Sequence, residues 1–201
     1  LIFDKLNFSL MIEDFLNHYT PINHYCWKLY RENKISEREL RIQRLLKTFK
    51  KINFKIKKNQ IEEISSLYIS HLSSFPYLFD GTHDLLKMLK NKYKLHIITN
   101  GFEEVQYFKI ANSGLNTYFQ NIFTAEKIGF KKPNPQIFNV ALKIAETSAK
   151  ASIMIGDSLE ADIKGALNVG MQAIHFNSHN EKKHKHCPIV NSLGEINQFF
   201  V

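Results

Sequence analysis

The chain has 201 residues, 44% of them hydrophobic, which is enough for one sizeable core and a smaller second domain. Its net charge of +8 comes from lysines scattered along the sequence, so it indicates a lysine-rich composition and not a nucleic-acid-binding surface. The apolar runs are shorter than the roughly 20 residues of a membrane-spanning helix, and the first residues do not resemble a signal peptide. Two distant cysteines, Cys26 and Cys187, form no metal or redox motif. We therefore expect a cytoplasmic protein that binds neither nucleic acid nor a membrane.

The first part of the chain has a helical pattern. Apolar side chains recur at helical spacing over residues 3–16, and Thr20-Pro21 predicts a helix break and restart. Ser36 with Glu39 has the spacing of a capping box and predicts the start of an amphipathic helix. No segment before Phe79 reads as a convincing strand. We therefore predict a helical domain over residues 1–78.

From Phe79 onward, short apolar runs alternate with helical patterns. The predicted strands are 95–98, 122–124, 152–155 and 172–176, and the predicted helices are 83–90, 102–113, 135–146 and 161–169. Such alternation indicates right-handed βαβ units and a parallel sheet covered on both faces. We predict a doubly wound, Rossmann-like α/β domain over residues 79–201, in which the basic cluster 182–186 is a solvated loop.

Polar residues follow two of the predicted strands. Thr99, Asn100 and Gly101 come directly after the first of them, and Asp157 follows the third. Ligands of open α/β sheets bind at the carboxyl ends of the strands, so we expect these residues to meet at one edge. We place Lys132, from the loop between the second strand and its helix, at the same edge.

These residue types suit phosphoryl transfer. A threonine hydroxyl and main-chain amides at a helix start can donate hydrogen bonds to phosphoryl oxygens. A lysine offsets the negative charge of the transferred group, and strand-end carboxylates are ligands that Mg²⁺ prefers. Together, lysine and metal would stabilise the transition state, so the sequence predicts a Mg²⁺-dependent enzyme acting on a phosphorylated substrate.

Three segments resemble known motifs in order and spacing. Residues 99–101 (Thr-Asn-Gly), 132–135 (Lys-Pro-Asn-Pro) and 156–162 (Gly-Asp-Ser-Leu-Glu-Ala-Asp) are similar to the second, third and fourth motifs of haloacid dehalogenase-like (HAD) hydrolases. The resemblance covers roughly residue 79 to the end. It implies that the helical domain is the cap that closes over the active site in that family.

The resemblance also assigns roles to individual residues. The Thr99–Gly101 segment and Lys132 would bind the phosphoryl group, with Thr99, Lys132 and Asp162 in the catalytic set. Asp157 would coordinate Mg²⁺. Asp162 would support the metal or pair with Lys132.

The family's first motif, Asp-x-Asp, supplies the nucleophile and the general acid/base, and it does not occur in this sequence. Asp4 follows three apolar residues, but Leu6 stands where a second aspartate is needed and the sequence that follows is helical. We therefore reject Asp4 as the nucleophile and expect these residues alone to be inactive. Either roughly 20–25 further residues upstream carry the motif, which the missing initiator methionine favours, or the protein is degenerate.

The sequence gives less information about the substrate than about the reaction. The segment 35–41 (Ile-Ser-Glu-Arg-Glu-Leu-Arg), with Arg44, resembles the cap of the pyrimidine 5′-nucleotidase subgroup. Our first hypothesis is a phosphatase that hydrolyses nucleoside 5′-monophosphates through an aspartyl-phosphate intermediate. Alternatives are a sugar-phosphate or phosphoglycolate phosphatase, and a non-catalytic HAD-like binding or regulatory protein. A dehalogenase is disfavoured because Asp157 and Asp162 form a magnesium signature.

The remaining predictions concern the side chains of the first domain and the oligomeric state. Trp27 and the phenylalanines are assigned to its hydrophobic core. Arg41 and Arg44 are assigned to surface charges and not to phosphate-binding positions. We expect a monomer or a weak homodimer.

Overall fold

A computed structural model describes residues 2–6 and 8–200, without the side chain of Ser73. The chain divides into two compact units, Leu1–Ser74 and Phe75–Val201. The predicted boundary at residues 78 and 79 lies in the irregular segment that begins the second unit. None of the described helices is both long and apolar enough to cross a membrane.

The first unit is helical, as predicted. Its elements are α1 (Ile2–Lys5), α2 (Ile12–Arg31), α3 (Glu37–Lys51) and α4 (Lys58–Ser74). The predicted capping box begins α3: the Glu39 N–H donates to Ser36 Oγ over 3.2 Å, and the Ser36 N–H donates to Glu39 Oε2 over 2.7 Å. Two of the amide groups that lack partners at a helix start are thereby satisfied. Asp4 lies in α1, which confirms the helical context that argued against it as the nucleophile.

The predicted break at Pro21 is wrong, because α2 runs continuously through it. A proline inside a helix removes one main-chain hydrogen bond and costs about 3 kcal/mol. Packing on both sides of the proline offsets that cost. Phe15 before it and Cys26 after it are both buried, and α2 packs along α3.

A cluster of aromatic rings forms the core of the first unit. The ring centroids of Phe3 and Phe15 are 4.9 Å apart, and those of Phe15 and Phe49 are 5.1 Å apart. Ile61 and Ile64 of α4 pack into the same cluster. The phenylalanines named here are therefore core residues, as predicted. Trp27 is only half-buried and packs edge-on against Tyr30.

The second unit alternates helices and strands. The strands are β1 (His96–Thr99), β2 (Asn121–Thr124), β3 (Ile153–Gly156), β4 (Gln172–Phe176) and β5 (Ile189–Val190). The helices are α5 (Thr82–Lys90), α6 (Glu103–Asn112), α7 (Ala125–Ile128), α8 (Pro135–Ile144) and α9 (Lys164–Asn168). The four predicted strands are confirmed within one residue at each end. The short β5 and α7 were not predicted.

All strand pairs in the described residues are parallel, but they form two sheets and not one continuous sheet. β1 pairs with β2, and β4 lies between β3 and β5. No described strand joins β1 to β3. The two sheets nevertheless share their core, because Ile98 of β1 and Met154 of β3 pack against one cluster that includes Ile137 and Phe138.

The predicted helix over residues 161–169 begins two residues earlier, and its first turn is not α-helical. Leu159–Ile163 forms one π-helical turn, in which the N–H groups of Asp162 and Ile163 both donate to the Ser158 carbonyl. The α-helix α9 follows directly. Such wide turns are frequent at functional sites.

We expect Ser36→Ala to lower the free energy of unfolding by about 1 kcal/mol, because the first turn of α3 loses its side-chain cap. Urea denaturation measures the change. Ser36→Asp serves as the control, since aspartate can still accept the Glu39 N–H. Equal stability of the alanine and wild-type proteins would contradict a stabilising role for the cap.

Candidate active site

The segment after β1 turns sharply. The Gly101 N–H donates to Thr99 Oγ1 over 3.0 Å, so the hydroxyl hydrogen of Thr99 remains available to a ligand. A Cβ atom at Gly101 would lie 2.2 Å from the side-chain nitrogen of Gln106. A side chain at this position would therefore displace the end of the Gln106 side chain on α6.

Asn100 fastens the loop that carries Lys132. Its side-chain oxygen accepts from the Lys132 N–H over 2.8 Å, and its side-chain nitrogen donates to the Lys132 carbonyl over 2.9 Å. The side chain of Asn100 is thus occupied in positioning Lys132. The sequence had indicated only its main-chain amide as a ligand-binding group.

Lys132 forms a buried ion pair with Asp162. The Lys132 ammonium lies 2.6 Å from Asp162 Oδ1, and the two side chains are only 10% and 5% exposed. The same ammonium donates to the Ile98 carbonyl over 2.6 Å. One cation therefore links the end of β1 to the turn that follows β3.

The position of Asp162 depends on the π-helical turn and on a glycine. The second carboxylate oxygen of Asp162 accepts from the Ser158 N–H over 3.1 Å. A Cβ atom at Gly156 would lie 2.4 Å from the Cβ atom of Asp162, so only glycine allows this approach. Both oxygens of Asp162 are engaged within the protein. Of its two predicted roles, this geometry corresponds to pairing with Lys132.

Asp157 has a different environment. Its carboxylate is 51% exposed, and Oδ2 lies 2.8 Å from Nε2 of His179. Its main-chain carbonyl lies 3.2 Å from Nε2 of His175, which is fully buried. The Leu159 N–H next to this strand end donates to Glu181 over 3.1 Å. Sequence reasoning missed both histidines and Glu181, although His175 stands at the end of the last predicted strand.

The basic cluster 182–186 is only partly the solvated loop that was predicted. Its lysines are exposed, but His184 is half-buried and stacks on His175, with ring centroids 5.0 Å apart. Burial is the largest cause of the lowered pKa of His184, and the neighbouring His175 and His186 lower that pKa further. This part of the loop is therefore packed against the strand end beside Asp157.

The carboxylates fit a magnesium site in which the protein supplies only one or two of the ligands. Across residues 2–6 and 8–200, no group of three or more His, Cys, Asp or Glu side chains could hold a metal. Mg²⁺, however, is commonly bound through one or two carboxylates together with water and phosphate oxygens. Asp157 has the exposure and the hard oxygen atoms for such a ligand. Asp162 is paired with Lys132, and its role as a support for the metal stays a prediction.

The structure thus brings together Lys132, Asp162 and Asn100 through direct contacts at the end of β1, beside Thr99. Asp157 directly follows β3 and lies two residues before the π-helical turn begins. No contact among the described residues joins Asp157 to Lys132. The ligand roles assigned to Thr99, Gly101 and Asp157 remain predictions.

We expect Lys132→Met to lower the free energy of unfolding by about 3–5 kcal/mol, because it leaves the Asp162 carboxylate buried without its cation. The double variant Lys132→Met/Asp162→Asn should be less destabilised than the sum of its single changes. Urea denaturation of the four proteins measures the coupling. The exposed pair Lys164–Glu160 provides the control, and Lys164→Met should cost less than about 1 kcal/mol. Equal losses for the two lysine variants would contradict a buried ion pair.

The comparisons with known proteins agree with this geometry. The family profile of haloacid dehalogenase-like hydrolases matches residues 7–176. The HAD-hydrolase YfnB of Bacillus subtilis is 33% identical over 88% of this chain and 74% of its own length. The YfnB crystal structure, described as bound to magnesium, superposes with a TM-score of 0.88, covering 98% of this chain and 86% of that one.

Two further relatives have named activities. The pyrimidine 5′-nucleotidase PynA of Streptococcus pneumoniae is 31% identical over 86% of this chain and 73% of its own length. A glyceraldehyde 3-phosphate phosphatase of Methanothermobacter thermautotrophicus is 33% identical over 60% of this chain and 57% of its own length. Similarity to a nucleotidase and to a sugar-phosphate phosphatase supports phosphatase activity. From the family match and the shared fold, the chain belongs to the haloacid dehalogenase-like hydrolases.

Proposed function

We propose that this hydrolase is a Mg²⁺-dependent phosphatase of small phosphate monoesters, with nucleoside 5′-monophosphates as its substrates. The observation that carries the proposal is the buried Lys132 ammonium, held between Asp162 and the Ile98 carbonyl. A fixed cation at a strand end suits a dianionic phosphoryl group, because its charge needs no reorganisation during the reaction. The attack itself is assigned to an aspartate of the family's first motif, which this sequence does not contain.

The residues after β1 would bind the phosphoryl group. Thr99 contributes the hydroxyl hydrogen that its bond with Gly101 leaves available. Lys132 contributes its ammonium from the loop that Asn100 clamps. Asp162 acts through Lys132, because one of its oxygens pairs with the Lys132 ammonium and the other accepts from the Ser158 N–H. In this assignment Asp162 is a positioning residue.

Asp157 would hold Mg²⁺ through its exposed carboxylate. When bound, the metal supplies positive charge that stabilises the transferred phosphoryl oxygens. Binding at Asp157 would compete with the His179 contact at Oδ2. The magnesium-bound relative YfnB supports the choice of ion.

We expect Asp157→Ala in the full-length protein to reduce Mg²⁺-dependent phosphatase turnover by more than about 100-fold, since a ligand lost from the metal costs more than one lost from its surroundings. Asp4→Ala should leave turnover unchanged, because Asp4 lies in helix α1 of the other unit. Steady-state phosphate release against Mg²⁺ concentration measures both. A fully active Asp157→Ala protein would overturn the metal assignment.

The choice of substrate follows from the similarity to PynA and to the cap segment of that subgroup. The similarity to a glyceraldehyde 3-phosphate phosphatase favours a second candidate, a sugar-phosphate phosphatase. A panel of nucleoside monophosphates and sugar phosphates separates them through kcat/KM of the full-length protein. We expect nucleoside 5′-monophosphates to give the highest value. Preference for sugar phosphates would select the second candidate, and binding without turnover of any ester would indicate a non-catalytic protein.

A further inference from the structure

Arg44 is buried in the helical unit, contrary to its interpretation as a surface charge. Its residue exposure is 3%, and it lies on α3. Two other arginines on the same helix lie beside acidic side chains. Arg41 forms an ion pair with Glu37. The side chain of Arg38 is 86% exposed and lies 3.9 Å from the carboxylate of Glu62. Arg44 is therefore the arginine of α3 that needs an explanation.

Nothing acidic in the described part of the chain compensates the Arg44 charge. Its Nη1 donates to the side-chain oxygen of Asn23 over 3.2 Å, and its guanidinium lies 4.8 Å from the ring centre of Tyr68. These are neutral partners. Burying a charge without a counter-charge costs several kcal/mol even when some hydrogen bonds are made. The fold therefore carries an uncompensated cation inside the first unit.

Two polar atoms near this cation also lack partners. Arg44 Nε and the Tyr19 hydroxyl are both buried without a hydrogen bond among the described residues. Burial raises the pKa of Tyr19, and the neighbouring Arg44 opposes that rise, so the phenol remains a neutral donor. Burial raises the pKa of the Cys26 thiol, and Lys47 and Arg44 both oppose that rise. Lys47 is therefore a second cation near Arg44.

The missing partner must accept hydrogen bonds and carry negative charge. Arginine offers only donors, and its planar guanidinium matches the spacing of two oxygens in a carboxylate or phosphate. A water molecule would satisfy the hydrogen bonds but not the charge. An oxyanion satisfies both, and its charge-assisted bonds are shorter and stronger than neutral ones.

We propose that Arg44, Tyr19 and Asn23 form a binding site in the helical unit for an anionic oxygen group, either a carboxylate or a phosphate. The site uses none of the residues assigned to phosphoryl transfer and goes beyond the phosphatase proposal. Asn23 holds one end of the guanidinium, and the Tyr19 hydroxyl and Arg44 Nε donate to the anion. Asn23, Tyr19 and Tyr68 are partly exposed residues, whereas the Tyr19 hydroxyl and Arg44 Nε themselves are buried.

Trp27 provides a local signal for the test. It is the single tryptophan of the chain and lies one helical turn after Asn23 on α2. Fluorescence of the full-length protein is titrated with inorganic phosphate and, separately, with acetate at constant ionic strength. We expect a saturable change, and at least about a 10-fold weaker Kd in Arg44→Met, in line with the loss of charged hydrogen bonds. A response to phosphate alone identifies a phosphate site, and a response to acetate a carboxylate site.

Arg38→Met is the matched control, because it removes a charge of the same kind from an exposed position on α3. It should keep the wild-type affinity. Phosphate release from a nucleoside 5′-monophosphate by the wild-type protein is measured separately, so that failure of this site and failure of the phosphatase proposal give different results. Tyr19→Phe should weaken binding by several-fold and serves if Arg44→Met does not fold.

Thermal unfolding separates ligand binding from a purely structural role. Without anions, Arg44→Met should melt no lower than wild type, because it removes an uncompensated charge. Added phosphate or acetate should raise the Tm of wild type by more than that of the variant, in which phosphate can bind only at the Lys132 site. The proposal is overturned if neither anion changes Trp27 fluorescence in wild type, or if Arg44→Met and Tyr19→Phe respond as wild type does.

Discussion

The ion pair between Lys132 and Asp162 is the interaction on which the site depends. It joins the loop before α8 to the turn after β3, and the second contact of the Lys132 ammonium reaches the end of β1. A buried pair of this kind is stable only when the remaining polar atoms are also satisfied. The Ile98 carbonyl, which accepts from the ammonium, and the Ser158 N–H, which donates to the carboxylate, contribute to that condition. Close packing supports it as well, since a Cβ atom at Gly165 would lie 3.2 Å from Pro133 Cα.

The two aspartates of the last motif differ because their environments differ. Asp162 is buried and contacts the Lys132 ammonium and the Ser158 N–H, whereas Asp157 is half exposed and contacts His179 through one oxygen. Asp162 can therefore orient the Lys132 ammonium, and Asp157 can bind an incoming metal ion. A π-helical turn produces this division within five residues, since it directs Asp162 back towards Gly156.

Local patterns in the sequence predicted the elements well. Strand positions followed from short apolar runs, and the start of α3 followed from a capping box whose two partners lie within one turn. The same reasoning failed where distant packing decides the outcome. Pro21 stays helical because residues on both sides of it are buried, and Arg44 is buried because it packs between Asn23 and Tyr68. The site residues were predicted through motif resemblance, but the clamp of Asn100 and the contact of His179 depend on loops that meet only in three dimensions.

The central claim is that the Lys132–Asp162 pair presents a cation to a phosphoryl group while Asp157 holds the metal. A crystal structure of the full-length protein with Mg²⁺ and inorganic phosphate tests it most directly. The account predicts phosphate within hydrogen-bonding distance of the Thr99 hydroxyl and the Lys132 ammonium, and Mg²⁺ on the Asp157 carboxylate. Phosphate bound away from Lys132, or a metal coordinated without Asp157, would contradict it.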